Sequence, residues 1–143
     1  MKYISTRNSD KDFSFKEVFV KGLADDGGLF VPKSLKKYSS SELQQLKNLN
    51  YCELSTEIIN LFSSDFISKE ELSSLIKKSY SIFREKEVVK ISNIGELKLL
   101  ELFHGPTLAF KDIAMQFIGN LYEYYLSKND KKLNIVVATS GDT

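Results

Sequence analysis

Leu97-Lys98-Leu99-Leu100-Glu101-Leu102-Phe103-His104-Gly105-Pro106-Thr107-Leu108-Ala109-Phe110-Lys111-Asp112 carries an apolar run into a Gly-Pro turn, then a second apolar run and one lysine. Leu97 to Phe103 reads as a strand, ended by the His104 to Thr107 turn. From about Asp112 to Leu126, Ile113, Ala114, Phe117, Ile118, Leu121 and Tyr125 recur at helical spacing, and Asn129-Asp130-Lys131-Lys132 breaks the pattern. Leu133-Asn134-Ile135-Val136-Val137-Ala138 reads as a second strand, rich in β-branched residues. Strand, helix, strand is the unit of a parallel sheet with a right-handed crossover, so the expected fold is α/β. Ligands of such sheets collect beyond the carboxyl ends of the strands. The Lys111 segment and the loop Thr139-Ser140-Gly141-Asp142-Thr143 both fall on that rim.

The two segments make chemical sense together. A lysine amine is a nucleophile only when neutral, and apolar surroundings penalise its charged form. Lys111 alone among the lysines follows such an apolar run and precedes a helix. The Thr-Ser-Gly loop offers hydroxyls and backbone N–H groups to a carboxylate or phosphate, and a following helix would add its dipole. The bland readings stand beside these. A Lys-Asp pair at a helix start is commonly a solvated charge pair, and Ser140 to Thr143 also reads as a plain turn with Asp142 or Thr143 as N-cap. Asp112 is placed either to orient Lys111 or to cap the helix.

Outward from this segment the texture changes near residue 90. The residues before it read as a mostly helical domain, 1–90, and those after it as the beginning of an α/β domain, 91–143. Tyr3 to Thr6 is a short strand. Ser14 and Glu17 have the spacing of a capping box, which predicts a helix from Phe15 to Lys21 stopping at Gly22. Ala24-Asp25-Asp26-Gly27-Gly28 is a turn, and Leu29-Phe30-Val31 a brief strand ended by Pro32. Ser39 with Glu42 and Ser68 with Glu71 are further boxes. They predict one helix through Leu43 and Leu46 and another with Leu72, Leu75, Ile76 and Tyr80 on its buried face. Ile58, Ile59, Leu61 and Phe62 mark a helix over residues 53–63.

Composition excludes several classes. The chain has 143 residues, 42% hydrophobic and 27% charged, which is ordinary for a globular protein. Lys+Arg of 20 against Asp+Glu of 19 leaves no basic excess for nucleic acid or an anionic membrane. One cysteine, Cys52, and one histidine argue against a disulfide and a conventional zinc site. No apolar run approaches the roughly 20 residues that span a bilayer, and the amino terminus lacks a signal-peptide core. The default location is cytoplasmic.

His104-Gly-Pro-Thr-Leu-Ala-Phe-Lys111-Asp112 followed by Ala138-Thr-Ser-Gly-Asp-Thr143 resembles threonine synthase of the fold-type II pyridoxal-phosphate enzymes. Tyr3-Ile4-Ser5-Thr6-Arg7, Phe13-Ser14-Phe15 and Gly22 to Pro32 resemble that family's amino-terminal domain. The resemblance covers essentially the whole chain, as the first part of a longer enzyme. It implies conversion of O-phospho-L-homoserine and water to L-threonine and phosphate, with pyridoxal 5′-phosphate as cofactor. It further implies that Lys111 holds the cofactor as a Schiff base and then moves protons. Phe110 and Asp142 would lie at the cofactor ring, and Ser140, Gly141 and Thr143 at the substrate α-carboxylate.

The resemblance also implies that the groups for the cofactor phosphate lie beyond residue 143. Residues 1–143 alone are therefore expected to be inactive and to be poorly stable over 97–143, where a lone crossover leaves edges and apolar faces uncovered. Two rivals remain. One is a related phospho-lyase that releases a keto acid, and the other is a non-catalytic interaction module built on the helical domain.

Overall fold

The computed structural model describes residues 1–129, 132–139 and 141. The chain divides into two compact units, Met1–Ser73 and Ser74–Thr143.

In the first unit β1 (Tyr3–Ser5) pairs antiparallel with β2 (Phe30–Pro32), with Ile4 opposite Val31. Between them lies α1 (Phe15–Lys21), whose bounds are those that the capping box and Gly22 predict. The Ser14 side chain accepts from Glu17 N while Glu17 accepts from Ser14 N, so two orphan donors of the first turn are satisfied. The same box opens α2 (Ser40–Leu46) through Ser39 and Glu42. It also opens α3 (Tyr51–Ser63), here through Asn50 and Glu53, two residues ahead of the expected start. Phe15 and Phe19 stack at 5.8 Å between centroids and both lie against Phe66, which ties α1 to the segment after α3. Tyr3 tilts onto Phe15 and donates its hydroxyl to the Phe62 carbonyl at 3.0 Å.

The division between units falls inside α4 (Lys69–Tyr80), ahead of the change in texture near residue 90. The reason is that the second half of α4 belongs with α5 (Asp112–Asn129). Tyr80 donates to the Ile113 carbonyl at 2.9 Å, Asn120 donates to Ser79 at 3.0 Å, and Lys78 pairs with Glu123 at 2.7 Å. Leu75, Ile76, Tyr80, Phe83, Val88, Phe117, Leu121 and Tyr125 are buried in this unit. Of the face that periodicity assigns to α5, Phe117, Leu121 and Tyr125 are buried, Ile113 and Ile118 are half-buried, and Ala114 is exposed. The helix runs three residues beyond the expected end at Leu126.

The strand at Leu97 is present as β4 (Leu97–Glu101), but its partner is different from the one expected. It pairs antiparallel with β3 (Lys90–Ile94) through a two-residue loop, Gly95-Glu96. Gly95 takes φ +61°, a conformation that costs glycine little and suits the first central position of a tight hairpin. The expected strand from Leu133 to Ala138 is not formed among the described residues, and Val136 is 96% exposed. β-propensity marks side chains suited to a pleated surface, yet a strand also needs a paired neighbour and cover for its apolar faces. Neither is present there. The mixed α/β class stands, and its two described sheets are both antiparallel two-stranded pairs.

Burial pushes the Tyr3 phenol up to about 12, with the nearby Asp65 charge adding to the shift. The fold therefore favours the neutral phenol. That contribution is complete below the ordinary phenol value of about 10 and disappears as pH rises through about 12. In urea melts, Tyr3→Phe is expected to cost about 1 kcal/mol at pH 7 through the lost hydrogen bond. The difference between wild type and variant should shrink between those two pH values. A difference that stays constant to pH 12 would exclude this linkage.

Candidate active site

The site is built on the reversal between the end of β4 and the start of α5. Pro106 stands at the second position of a turn in which Leu108 N donates to the Gly105 carbonyl at 3.3 Å. Leu108 then takes φ +65°, a left-handed conformation uncommon for a bulky residue. Asp112 N donates to the Ala109 carbonyl at 3.0 Å and Ile113 N to that of Phe110 at 3.3 Å, which winds the chain tightly into the helix. Lys111 directly precedes α5, and its own carbonyl accepts from Ala114 and Met115. It is half-buried, with its Nζ 5.9 Å from the centroid of the Phe110 ring.

Asp112 is not the solvated partner of a surface pair. It is only 3% exposed, and its carboxylate accepts from Thr107 N at 2.8 Å and from Thr107 Oγ1 at 2.9 Å. Gln116 Nε2 approaches it at 3.5 Å. Gly105 lies directly over this carboxylate. A Cβ there would collide with Asp112 Cβ and Oδ2 and come within 2.7 Å of Cγ, so no side chain fits.

On the strand side a second polar group closes the turn. Glu101 Oε2 lies 2.8 Å from His104 Nε2, and Ser92 Oγ donates to the other carboxylate oxygen. Hydrogen bonds from Ser92 and then His104 hold the Glu101 carboxyl below the usual carboxylate range. The His104 carbonyl accepts from Arg84 N at 2.9 Å. Sequence reasoning missed Ser92, Glu101 and Thr107. The only trace of the Glu101–His104 pair is a three-residue spacing, and Ser92 enters through hairpin register.

The remaining sequence candidates divide. Phe110 is 61% exposed, so it is not a core residue, and with Leu108 it forms an exposed apolar rim beside Lys111. Gly141 is exposed, has φ +108° and donates its N–H to Thr139 Oγ1 at 3.0 Å. Ser140, Asp142 and Thr143 lie outside the described residues. No group of His, Cys, Asp and Glu suited to a metal ion occurs among the described residues, and none of their helices is long and apolar enough to cross a membrane.

Residues 2–80 match the family model described as the threonine synthase N terminus. The chain belongs to the threonine synthase family. Threonine synthase of Schizosaccharomyces pombe is 44% identical over 99% of the chain, which covers 29% of that relative. Threonine synthase-like 2 of Xenopus laevis is 40% identical over the whole chain, covering 30% of the relative. The crystal structure of pyridoxal-phosphate-bound threonine synthase from Brucella melitensis superposes with a TM-score of 0.87 at 32% identity, over 92% of this chain and 29% of that one. The chain thus spans about three tenths of the length of the relatives it matches.

Gly105→Ala is expected to destabilise the second unit by about 2 kcal/mol, because the carboxylate beneath it is buried and cannot move aside. Gly119→Ala, in α5 with no atom within 4 Å of the new Cβ, should instead stabilise by up to about 1 kcal/mol. Urea denaturation of both variants checks the pair. Equal effects would remove the close approach as the reason for glycine at 105.

Proposed function

We propose that these residues form the amino-terminal part of a pyridoxal 5′-phosphate-dependent threonine synthase. It converts O-phospho-L-homoserine and water to L-threonine and inorganic phosphate. The observation that carries this reading is the presentation of Lys111 at the start of α5, half-buried beside an apolar rim, in a chain of this family.

The residues suit two parts of that cofactor. An amine at Lys111 matches its aldehyde, and the exposed ring of Phe110 offers a face to an aromatic ring. Groups for its phosphate are not among those identified. When bound, the cofactor supplies an electron sink that stabilises negative charge at substrate carbons. Lys111 Nζ would hold the cofactor and, once released, would take up and return protons at the α, β and γ carbons of the substrate. Ser140, Gly141 and Thr143 would hold the substrate α-carboxylate through N–H groups and hydroxyls, and Asp142 would serve at the cofactor. Residues 1–90 act as the amino-terminal domain and 91–143 as the start of the cofactor-binding α/β domain, in a cytoplasmic enzyme.

Residues 1–143 do not turn over substrate by themselves in this reading. Ile91, Ile94, Leu97, Leu99 and Leu100 expose apolar surface on β3 and β4, which suits strands that are covered in the active protein. A second reading, a phospho-lyase that releases a keto acid, is favoured by one observation, the likeness to Xenopus threonine synthase-like 2.

Cofactor trapping tests the proposal. Pyridoxal phosphate is added to the whole protein and to residues 1–143, followed by borohydride reduction and mapping of the labelled peptide. Label concentrated on Lys111 in the whole protein, and scattered or missing in residues 1–143, is the expected result. Lys111→Ala should lower turnover by about 10³-fold. No preference for Lys111 in the whole protein would sink the assignment. Product analysis by NMR separates the two reactions, since only one yields threonine.

A further inference from the structure

We infer that Asp112 is a positioning residue for Lys111, acting through a clasp with Thr107 and Gly105; this rests on the function proposed above. A carboxylate that merely capped α5 would turn forward and accept the free N–H groups of the first helical turn. The strong bonds of Asp112 run the other way. Both of its oxygens accept from Thr107, five residues upstream, through the backbone N–H at 2.8 Å and the hydroxyl at 2.9 Å. The segment that these bonds close contains Leu108, Ala109, Phe110 and Lys111.

Within the closed segment little freedom remains. The Thr107 hydroxyl oxygen also accepts from Ala109 N at 3.4 Å, and Leu108 is held at its left-handed φ. Gly105 covers the carboxylate from the far side, at a distance that only a missing side chain permits. A buried carboxylate is costly unless its oxygens are satisfied, and this one engages both. Two oxygens can receive two donors from one residue, whereas an amide at the same place would turn an N–H toward one of them. The clasp therefore fixes the backbone from which the Lys111 side chain leaves.

The test uses the whole protein and three variants, Asp112→Asn, Thr107→Val and Thr107→Ser. Each is purified as a monodisperse folded species, with its folded fraction measured by circular dichroism. Pyridoxal phosphate is added, borohydride fixes the label, and the share of label on Lys111 is counted per folded molecule. Steady-state kinetics are measured alongside. Asp112→Asn and Thr107→Val are expected to lower the Lys111 label about tenfold, the scale of one lost charge-assisted hydrogen bond. kcat should fall with KM little changed, and Thr107→Ser should restore both readouts. Should Asp112→Asn fail to fold, the Thr107 pair carries the comparison. Wild-type label on Lys111 with the same label in folded variants would overturn the clasp and leave the proposed function standing. Wild-type protein that does not label Lys111 would overturn both.

Discussion

The acceptance of two Thr107 donors by the buried Asp112 carboxylate is the constraint on which the site depends. It converts a flexible reversal into a closed segment and sets the direction in which α5 departs. Helix α5 then supplies Phe117, Leu121 and Tyr125 to the core of its unit and meets the end of α4 through Tyr80, Ser79 and Lys78. A misplaced carboxylate would therefore disturb more than one lysine. Hydrogen bonds to a charged group in a dry setting are stronger than neutral ones, and leaving such a group unpaired costs more than the bond itself contributes. That asymmetry makes the segment nearly all-or-none.

The energetic character of the two units differs. In the first, stability comes from local closure by three capping boxes and from an aromatic cluster that joins Tyr3, Phe15, Phe19 and Phe66. In the second, the buried set lies between α4 and α5, while the β3–β4 hairpin exposes apolar residues on both faces. An antiparallel pair that met water on one side would alternate apolar with polar residues. The Leu99-Leu100 pair breaks such alternation, and continuous apolar runs belong to strands covered on both sides. The hairpin's sequence thus answers to surroundings larger than the contacts that these residues make among themselves.

What was legible in the sequence follows from the range of each interaction. The bounds of α1 follow from Ser14, Glu17 and Gly22, which act within a single helical turn of the ends that they define. α3 begins two residues ahead of its apolar pattern because Asn50 and Glu53 form a box of the same spacing. Ile94-Gly95-Glu96-Leu97 carries a hairpin signal for β3, yet the continuous apolar run that follows equally suits a parallel partner further on. Leu133 to Ala138 has a strand's composition, but composition cannot name a partner. At the site, Lys111 stood out through its motif. The sequence leaves Asp112 open between orienting Lys111 and capping the helix, since a carboxylate that reaches back five residues has no pattern that distinguishes it from a cap.

The two polar groups flanking the turn act on the same stretch from opposite ends. Ser92 and His104 fix Glu101 at the close of β4, and the His104 carbonyl takes Arg84 N, so the chain leaves the hairpin in a set direction. Thr107 and Asp112 fix the entry to α5. Only Gly105 and Pro106 lie between these anchors, one with no side chain to obstruct the carboxylate and the other with φ fixed by its ring. Conformational entropy is thereby removed from the segment in advance, and a side chain held in this way has less to lose on engaging a ligand than one on a free loop. Placement at a strand-to-helix reversal, with both ends tied and the middle made of glycine and proline, is a physical reason for the motif from His104 to Asp112 to be read as one device.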